Sequence, residues 1–429
     1  MGYRQLNLWS KEGKEFFSSE TIMNGFSNKV FISFRKVIKE IPSTTYGTFS
    51  IYKYPAKFIP QVIAYVLKEY AKPGMKIFDP FAGYGTVGVV SRVYGYDYEL
   101  WDINPMTSII HNTAIMQYQE IDIAKLITAL KNSNKKFIPK WSNLLYWFPE
   151  EFISVLSKAW EFVHSLEDER KYILLIPLIN VTRYFSWADE KVHKLYKSKY
   201  SKRKIENLLK GNWKEKFYQM LEKEIHLLLK KICQYNKLNP KNVNYEIKSG
   251  IDTLKTKLDR EVNILITSPP YLQAQEYIRS TKLSLFWLGY EESYIKSLSK
   301  KEIPYRPVEE IEIYSEKYYE FREKMKEKHL KKIYDRYFHA ILKIFSTLGE
   351  KVKDYMCIFV GPAKVRNIPI PIDDIIIEHL EKLGWRHEIT FIDKIVSRVM
   401  FESKINPASG REDSRIKTEH LIILKRSLK

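Results

Sequence analysis

One passage restricts the fold more than any other: MKIFDP at 75–80, FAGYGT at 81–86, VGVVSRVYG at 87–95 and YELWDINP at 98–105. A short apolar run leads into a loop with two glycines, then a helical pattern, then a second apolar run that ends in an acid. Strand, glycine-rich loop, helix, strand and acid in that order make a βαβ unit, and its two strands must lie parallel. A helical pattern at Gln61–Tyr70, stopped by Lys72-Pro73-Gly74, precedes it. Strand signals return at 243–250, 262–271 and 355–362. The chain closes with a helix at 372–384 and strands at 386–396 and 418–425.

From about Met106 to Asn239 long helical patterns rich in aromatics replace the strand signals, and a second polar stretch occupies about 290–313. A single long helix is expected over roughly Ser315–Ser346. The expected architecture is one doubly wound α/β domain split by a largely helical insertion: 1–105, 106–240 as the insertion, and 241–429.

Three sites carry candidate chemistry. In Asp79-Pro80-Phe81-Ala82-Gly83-Tyr84-Gly85-Thr86, glycines after a buried strand let backbone approach a ligand closely. Gly83, Gly85 and Gly88 fit Gly-x-Gly-x-x-Gly, but a carboxylate at the strand end repels a pyrophosphate and suits a cationic head such as the ammonium of a methionine moiety. Asp102 ends the next strand, where an acid accepts hydrogen bonds from ribose hydroxyls or simply caps the helix after Pro105. Thr267-Ser268-Pro269-Pro270-Tyr271 follows the strand VNILI. Two prolines end a strand and remove two donors. What remains is a rigid loop of carbonyls, the Ser268 hydroxyl and the Tyr271 ring, which suits a planar base bearing an amino group.

In these motifs the chain resembles the amino-group DNA methyltransferases that use S-adenosylmethionine. Tyr54-Pro55-Ala56-Lys57-Phe58-Ile59-Pro60 is similar to that family's N-terminal cofactor motif, with Tyr54 where a His is common. DPFAGYGT resembles the cofactor loop and Asp102 the ribose acid. Asp252 in SGIDTL resembles the acid that meets the adenine amino group, and SPPY the catalytic motif in its cytosine-N4 form. The resemblance implies a Rossmann-like methyltransferase fold with a mostly parallel sheet and a reversed C-terminal hairpin. It implies S-adenosyl-L-methionine as cofactor and cofactor contacts from Lys57, Phe58, Asp79, Pro80, Phe81, Ala82, Gly83, Gly85, Thr86, Asp102 and Asp252. The target base falls to Ser268, Pro269, Pro270 and Tyr271. Methylation at cytosine N4 in duplex DNA is expected; adenine N6 and an RNA base remain alternatives. An RNA enzyme resembling this core usually reads Asn or Asp before Pro-Pro and adds an RNA-binding domain. A regulator with a dead cofactor fold is opposed by the intact motifs.

Charge agrees with a nucleic-acid partner. The chain carries 71 basic and 51 acidic residues, a formal net charge of +20. Within 190–216 ten Lys or Arg face three Glu, with Tyr196, Tyr200 and Trp213 interleaved. Lys191, Lys194, Lys197, Lys199, Lys202, Arg203 and Lys204, with Arg183 nearby, are the candidate DNA contacts, against the plainer reading of a solvated helical face.

Other classes are disfavoured. Cys233 and Cys357 have no metal-ligand spacing, and neither follows a proline, which the thiolate-dependent carbon-5 cytosine methyltransferases require. No metal site, Walker loop or nuclease cluster is expected. The N-terminal stretch lacks the apolar core of a signal peptide, and no run of about 18 apolar residues occurs, so a cytoplasmic chain without membrane contact is expected. A restriction endonuclease is an expected functional companion.

Overall fold

The structure, a computed structural model, describes residues 28–55, 57–192, 194–272, 276–366, 368–395 and 418–427. The N-terminal stretch read for targeting lies outside these residues. The described residues form ten strands: β1 (Lys29–Ile32), β2 (Lys76–Asp79), β3 (Asp97–Asp102), β4 (Tyr245–Ser249), β5 (Val262–Thr267), β6 (Val352–Val360), β7 (Ala363–Val365), β8 (Ile368–Ile370), β9 (Trp385–Lys394) and β10 (Thr418–Arg426). Eight of them build one sheet in the order β1-β9-β10-β6-β5-β2-β3-β4; β7 and β8 form a separate small hairpin.

Every pairing in the large sheet is parallel except those of β10, which runs antiparallel to both β6 and β9. The expected doubly wound sheet with a reversed C-terminal hairpin is therefore present. The apolar runs are buried on both faces, as a sheet covered by helices demands: Ile77, Phe78, Ile264, Leu265 and Ile266 have no solvent exposure. The chain leaves β2 toward β3 and β4, then returns to place β5 on the other side of β2. That reversal is a switch point, and it opens a crevice at the carboxyl ends of β2 and β5.

The insertion is helical, with Glu150–His164, Arg170–Tyr184, Lys199–Leu209 and Trp213–Asn236 as its main members. Two sequence boundaries shift. Met106–Ala114 is the crossover helix of the sheet, so 106 marks no break, and helices on both sides of it share one continuous apolar core. The helix expected over 315–346 is two, Glu316–Glu323 and Lys328–Gly349. Asp335 explains the fold-back: it accepts from Tyr318 Oη at 2.7 Å and from Arg322 at 2.8 and 3.0 Å, and Met325 is buried at the turn. No helix of the described residues is long and apolar enough to cross a membrane.

Candidate active site

The crevice is a cleft open to solvent on one side. One wall is the glycine-rich loop. Gly83 sits at φ +52°, where a side chain is strained, and a Cβ there would meet Tyr54 Cε1 at 3.1 Å. Gly85 and Gly88 serve packing instead: a Cβ at Gly85 would fall 2.8 Å from His111 Nδ1, and one at Gly88 2.5 Å from Tyr98. Asp102 stands at the end of β3. Its two oxygens take Gly83 N and Asn104 N, each at 2.7 Å, and burial pushes its pKa up to about 6 despite these donors.

Asp252 lines the far end. Its Oδ1 accepts Arg306 Nη1 at 2.7 Å, while Oδ2 is buried with no hydrogen-bond partner. A buried acceptor left unpaired is costly, so a donor on a ligand is the natural complement. Lys57 and Phe58 line the cleft as well. The Lys57 ammonium donates to the carbonyls of Thr44 and Phe49 over the Tyr84 ring, and burial lowers its pKa to about 8. Phe58 stacks on Phe359 at 5.3 Å.

Ser268 and Pro270 reach the same cleft. Among the described residues neither Ser268 Oγ nor the Pro269 carbonyl holds a hydrogen bond, so both keep their acceptor capacity. Tyr271 is turned to the sheet's last strand: its hydroxyl donates to Glu419 at 2.9 Å, and it does not line the cleft.

The structure brings together Lys57, Phe58, Phe81, Ala82, Gly83, Asp102 and Asp252 with Ser268 and Pro270. It places Asp79 elsewhere. Asp79 is 1% exposed and outside the cleft lining; its Oδ1 accepts Phe81 N at 3.0 Å and Thr267 Oγ1 at 2.6 Å. It therefore ties the glycine-rich loop to the end of β5, and burial raises its pKa to about 7. Pro80 and Thr86 also lie outside the lining, and the Pro80 carbonyl accepts Thr253 Oγ1 at 3.0 Å. Asp79 and Pro80 stand at the end of a central strand, where groups face neighbouring segments before they face a ligand, and Thr86 is buried as the first residue of the helix Thr86–Tyr94.

The basic stretch divides. Arg183 is directed inward, donating to the carbonyls of Ser280, Asp189 and Val192. Lys204, 6% exposed at its side chain, pairs with Glu190 at 2.8 Å and lies over the Tyr184 ring. These two are struts within the insertion, a correction to their expected DNA contact. Lys191 covers the Tyr200 ring and Lys197 the Tyr146 ring, at 3.7 and 3.5 Å. Lys194 approaches Glu276 at 3.7 Å, and Lys199, Lys202 and Arg203 are exposed. The stretch abuts the helix Tyr277–Trp287, which follows the Ser-Pro-Pro loop directly: Arg279 reaches Leu195 O at 3.5 Å.

Sequence reasoning passed over Tyr277, which stacks with Tyr54 at 6.4 Å, and the segment Lys301–Arg306, which covers the cleft. Its polar composition gave no helix or strand period to mark it.

A sheet of this order, reversed at its last strand and carrying its cleft at the switch point, defines the Rossmann-like methyltransferase class. No protein-family model matches the chain. The type II methyltransferase M.MvaI of Kocuria varians is 23% identical over 419 residues, covering 87% of this chain and 89% of that protein. M.MjaII of Methanocaldococcus jannaschii is 27% identical over 43% of this chain and 28% of its own length. M.BsoBI of Geobacillus stearothermophilus is 24% identical over 58% and 54%. The rRNA methyltransferase aviRa from Streptomyces viridochromogenes superposes only loosely, over 87% of this chain and 88% of that one at 9% identity and a TM-score of 0.29. Over most of its length, then, the chain is similar to type II DNA methyltransferases.

Proposed function

We propose that this enzyme methylates the N4 amino group of cytosine in duplex DNA, with S-adenosyl-L-methionine as donor. The observation that carries the reading is that Ser268 and Pro270 line the same cleft as Gly83, Asp102 and Asp252. The cleft fits the cofactor in three respects: a glycine cradle that a Cβ would fill, an acid at the end of β3, and an unpaired buried acceptor at Asp252 Oδ2. Gly83 gives backbone approach, Asp102 receives hydroxyls, Asp252 Oδ2 receives an amino group, and the Phe58 and Phe81 rings supply apolar wall. When bound, the cofactor supplies an electrophilic methyl on a sulfonium.

The protein's own residues do the rest. The target amino group is paired within the duplex, so the base must leave the stack. Ser268 Oγ and the Pro269 carbonyl, both free to accept, hold its two hydrogens out of the ring plane. The nitrogen lone pair is thereby released from conjugation, and orientation supplies much of the acceleration. The proton lost from nitrogen passes toward Ser268 or water. No covalent enzyme intermediate is required, in keeping with a buried Cys357 and a half-buried Cys233.

The exposed cations Lys191, Lys194, Lys199, Lys202 and Arg203 beside the helix after the catalytic loop are the proposed phosphate contacts. A restriction endonuclease of matching site is the proposed companion. Ser at 268 offers a neutral acceptor where Asp would offer a charged one, which favours cytosine over adenine. Mass spectrometry of nucleosides from DNA methylated by the purified enzyme tests the choice: N4-methyldeoxycytidine is expected. N6-methyldeoxyadenosine alone would overturn the base, and label transferred only to RNA would overturn the substrate.

A further inference from the structure

The cleft holds a carboxylate that belongs to none of the motifs. Glu302 lies in the turn after the helix Glu292–Lys300, is 7% exposed and lines the cleft with Asp102. Its Oε1 accepts Ile278 N at 3.0 Å, at the start of the helix that follows the Ser-Pro-Pro loop, and the Tyr277 amide beside it also donates to the carboxylate. Among the described residues these backbone amides are its donors, and it has no ion pair. The charged and titratable groups around it offer little neutralisation. Glu276 and Tyr277 come from the helix beyond it, Asp102 from β3, and Tyr305 from its own turn. Arg306 is committed to Asp252 at 2.7 Å, and Lys301 is half-buried and makes no ion pair among the described residues. Among the described residues Asp102 likewise has only backbone donors.

Two buried carboxylates that form no ion pair among the described residues thus share one cavity with Lys57, Lys301 and Arg306, and burial, followed by the proximity of Glu276 and Asp102, pushes Glu302 up to about 7. Such a pair is completed by a ligand of net positive charge. S-adenosylmethionine has a zwitterionic head and an added sulfonium; its demethylated thioether product keeps the head and loses the sulfonium. The two ligands differ by one positive charge, which neither Glu302 nor Asp102 meets in an ion pair among the described residues.

We propose that Glu302 is a cofactor-contacting carboxylate that reads the sulfonium charge, so that the cleft holds S-adenosylmethionine in preference to the thioether product and releases the product once the methyl has gone. The inference rests on the cofactor reading above. A cation stabilises the ionised form, so cofactor affinity increases as pH rises through about 7 and binding below that pH releases a proton. The product, with no net charge, shows little of either effect.

The test is titration calorimetry of the full chain with S-adenosylmethionine and S-adenosylhomocysteine between about pH 6 and about pH 8, in buffers of different ionisation enthalpy. Glu302→Gln keeps the Oε1 acceptor for Ile278 N and removes the charge, and its ligand-free melting temperature reports whether it folds. Expected for the wild type are an affinity ratio that rises with pH and proton release with the cofactor alone. Expected for Glu302→Gln is a cofactor affinity about tenfold lower, with the product changed less than about twofold and the pH trend flattened. Equal losses for both ligands, or a flat ratio without proton release in the wild type, overturn the proposal while leaving the cofactor reading intact. The wild-type arm decides the matter even if the variant does not fold. Failure of the wild type to bind either ligand overturns the cofactor reading and the proposal with it.

Discussion

The cleft and the basic stretch of the insertion use their charged residues in opposite ways. In the cleft, Asp252 Oδ2 is buried with no hydrogen-bond donor, and Glu302 has backbone amides but no ion pair among the described residues. In the stretch, Lys204 is buried against Glu190 and Tyr184, and Arg183 is spread over three carbonyls. A charged group whose partners the protein already supplies holds the fold together. One whose partner is missing is set aside for a ligand. The same distinction separates the two acids of the glycine-rich region: Asp79 is answered by Thr267 and Phe81, whereas Asp102 keeps a face on the cleft.

The largest effect expected from disturbing this contrast is at Gly83. Gly83→Val forces a branched side chain into a backbone at φ +52° and against the Tyr54 ring. Strain of about 1–3 kcal/mol and a filled cradle should together abolish cofactor binding, which calorimetry beside a melting curve will separate from unfolding. Next, Asp252→Ala should weaken the cofactor about tenfold or more, since it removes the unpaired acceptor and strands Arg306. Binding as tight as in the wild type would mean that Oδ2 serves no ligand.

Asp79 probes the contrast from the other side. Asp79→Asn keeps an acceptor for both Thr267 and Phe81, so cofactor affinity should stay within about threefold, less than removal of one charge-assisted hydrogen bond would cost. The sign of its pH dependence is fixed. Burial raises the folded pKa of this acid to about 7, so the folded state binds more protons than the unfolded chain between about pH 4 and pH 7, and stability falls across that window as pH rises. The asparagine variant lacks this loss and should gain on the wild type over that interval in denaturant melts. A tenfold fall in affinity would instead return Asp79 to the ammonium.

A smaller effect separates the two kinds of lysine. Neutralising Lys199, Lys202 and Arg203 together should weaken DNA binding for all sequences and reduce the log–log salt slope by about 0.9 for each phosphate left without its cation. Lys204→Met should leave that slope unchanged, because its charge is committed to Glu190. The smallest is Tyr271→Phe, which removes the hydroxyl bond to Glu419, an interaction worth roughly 1.5–3 kcal/mol, most of it felt in stability; turnover should stay within a few fold. Loss of activity without loss of stability would assign the hydroxyl to the reaction.

Local features of this chain are legible in its linear order. Two apolar runs flanking a glycine loop and a helix specify a parallel unit, because period and turn chemistry are written in consecutive residues. The proline pair after VNILI ends β5 where it must, and the final strands take their reversed places. The exposed and buried members of the basic stretch share one composition, and the polar run at 290–313 has no period, so neither disclosed its role before the chain was folded. Which charges are answered is settled in three dimensions alone. It depends on groups such as Thr267 for Asp79, 188 residues away, Glu190 for Lys204, and Ile278 for Glu302, brought together by the sheet order and by helices packing on one shared core. Burial in that core sets the cost of an unpaired charge, and burial is a property of the folded neighbourhood and not of the residue.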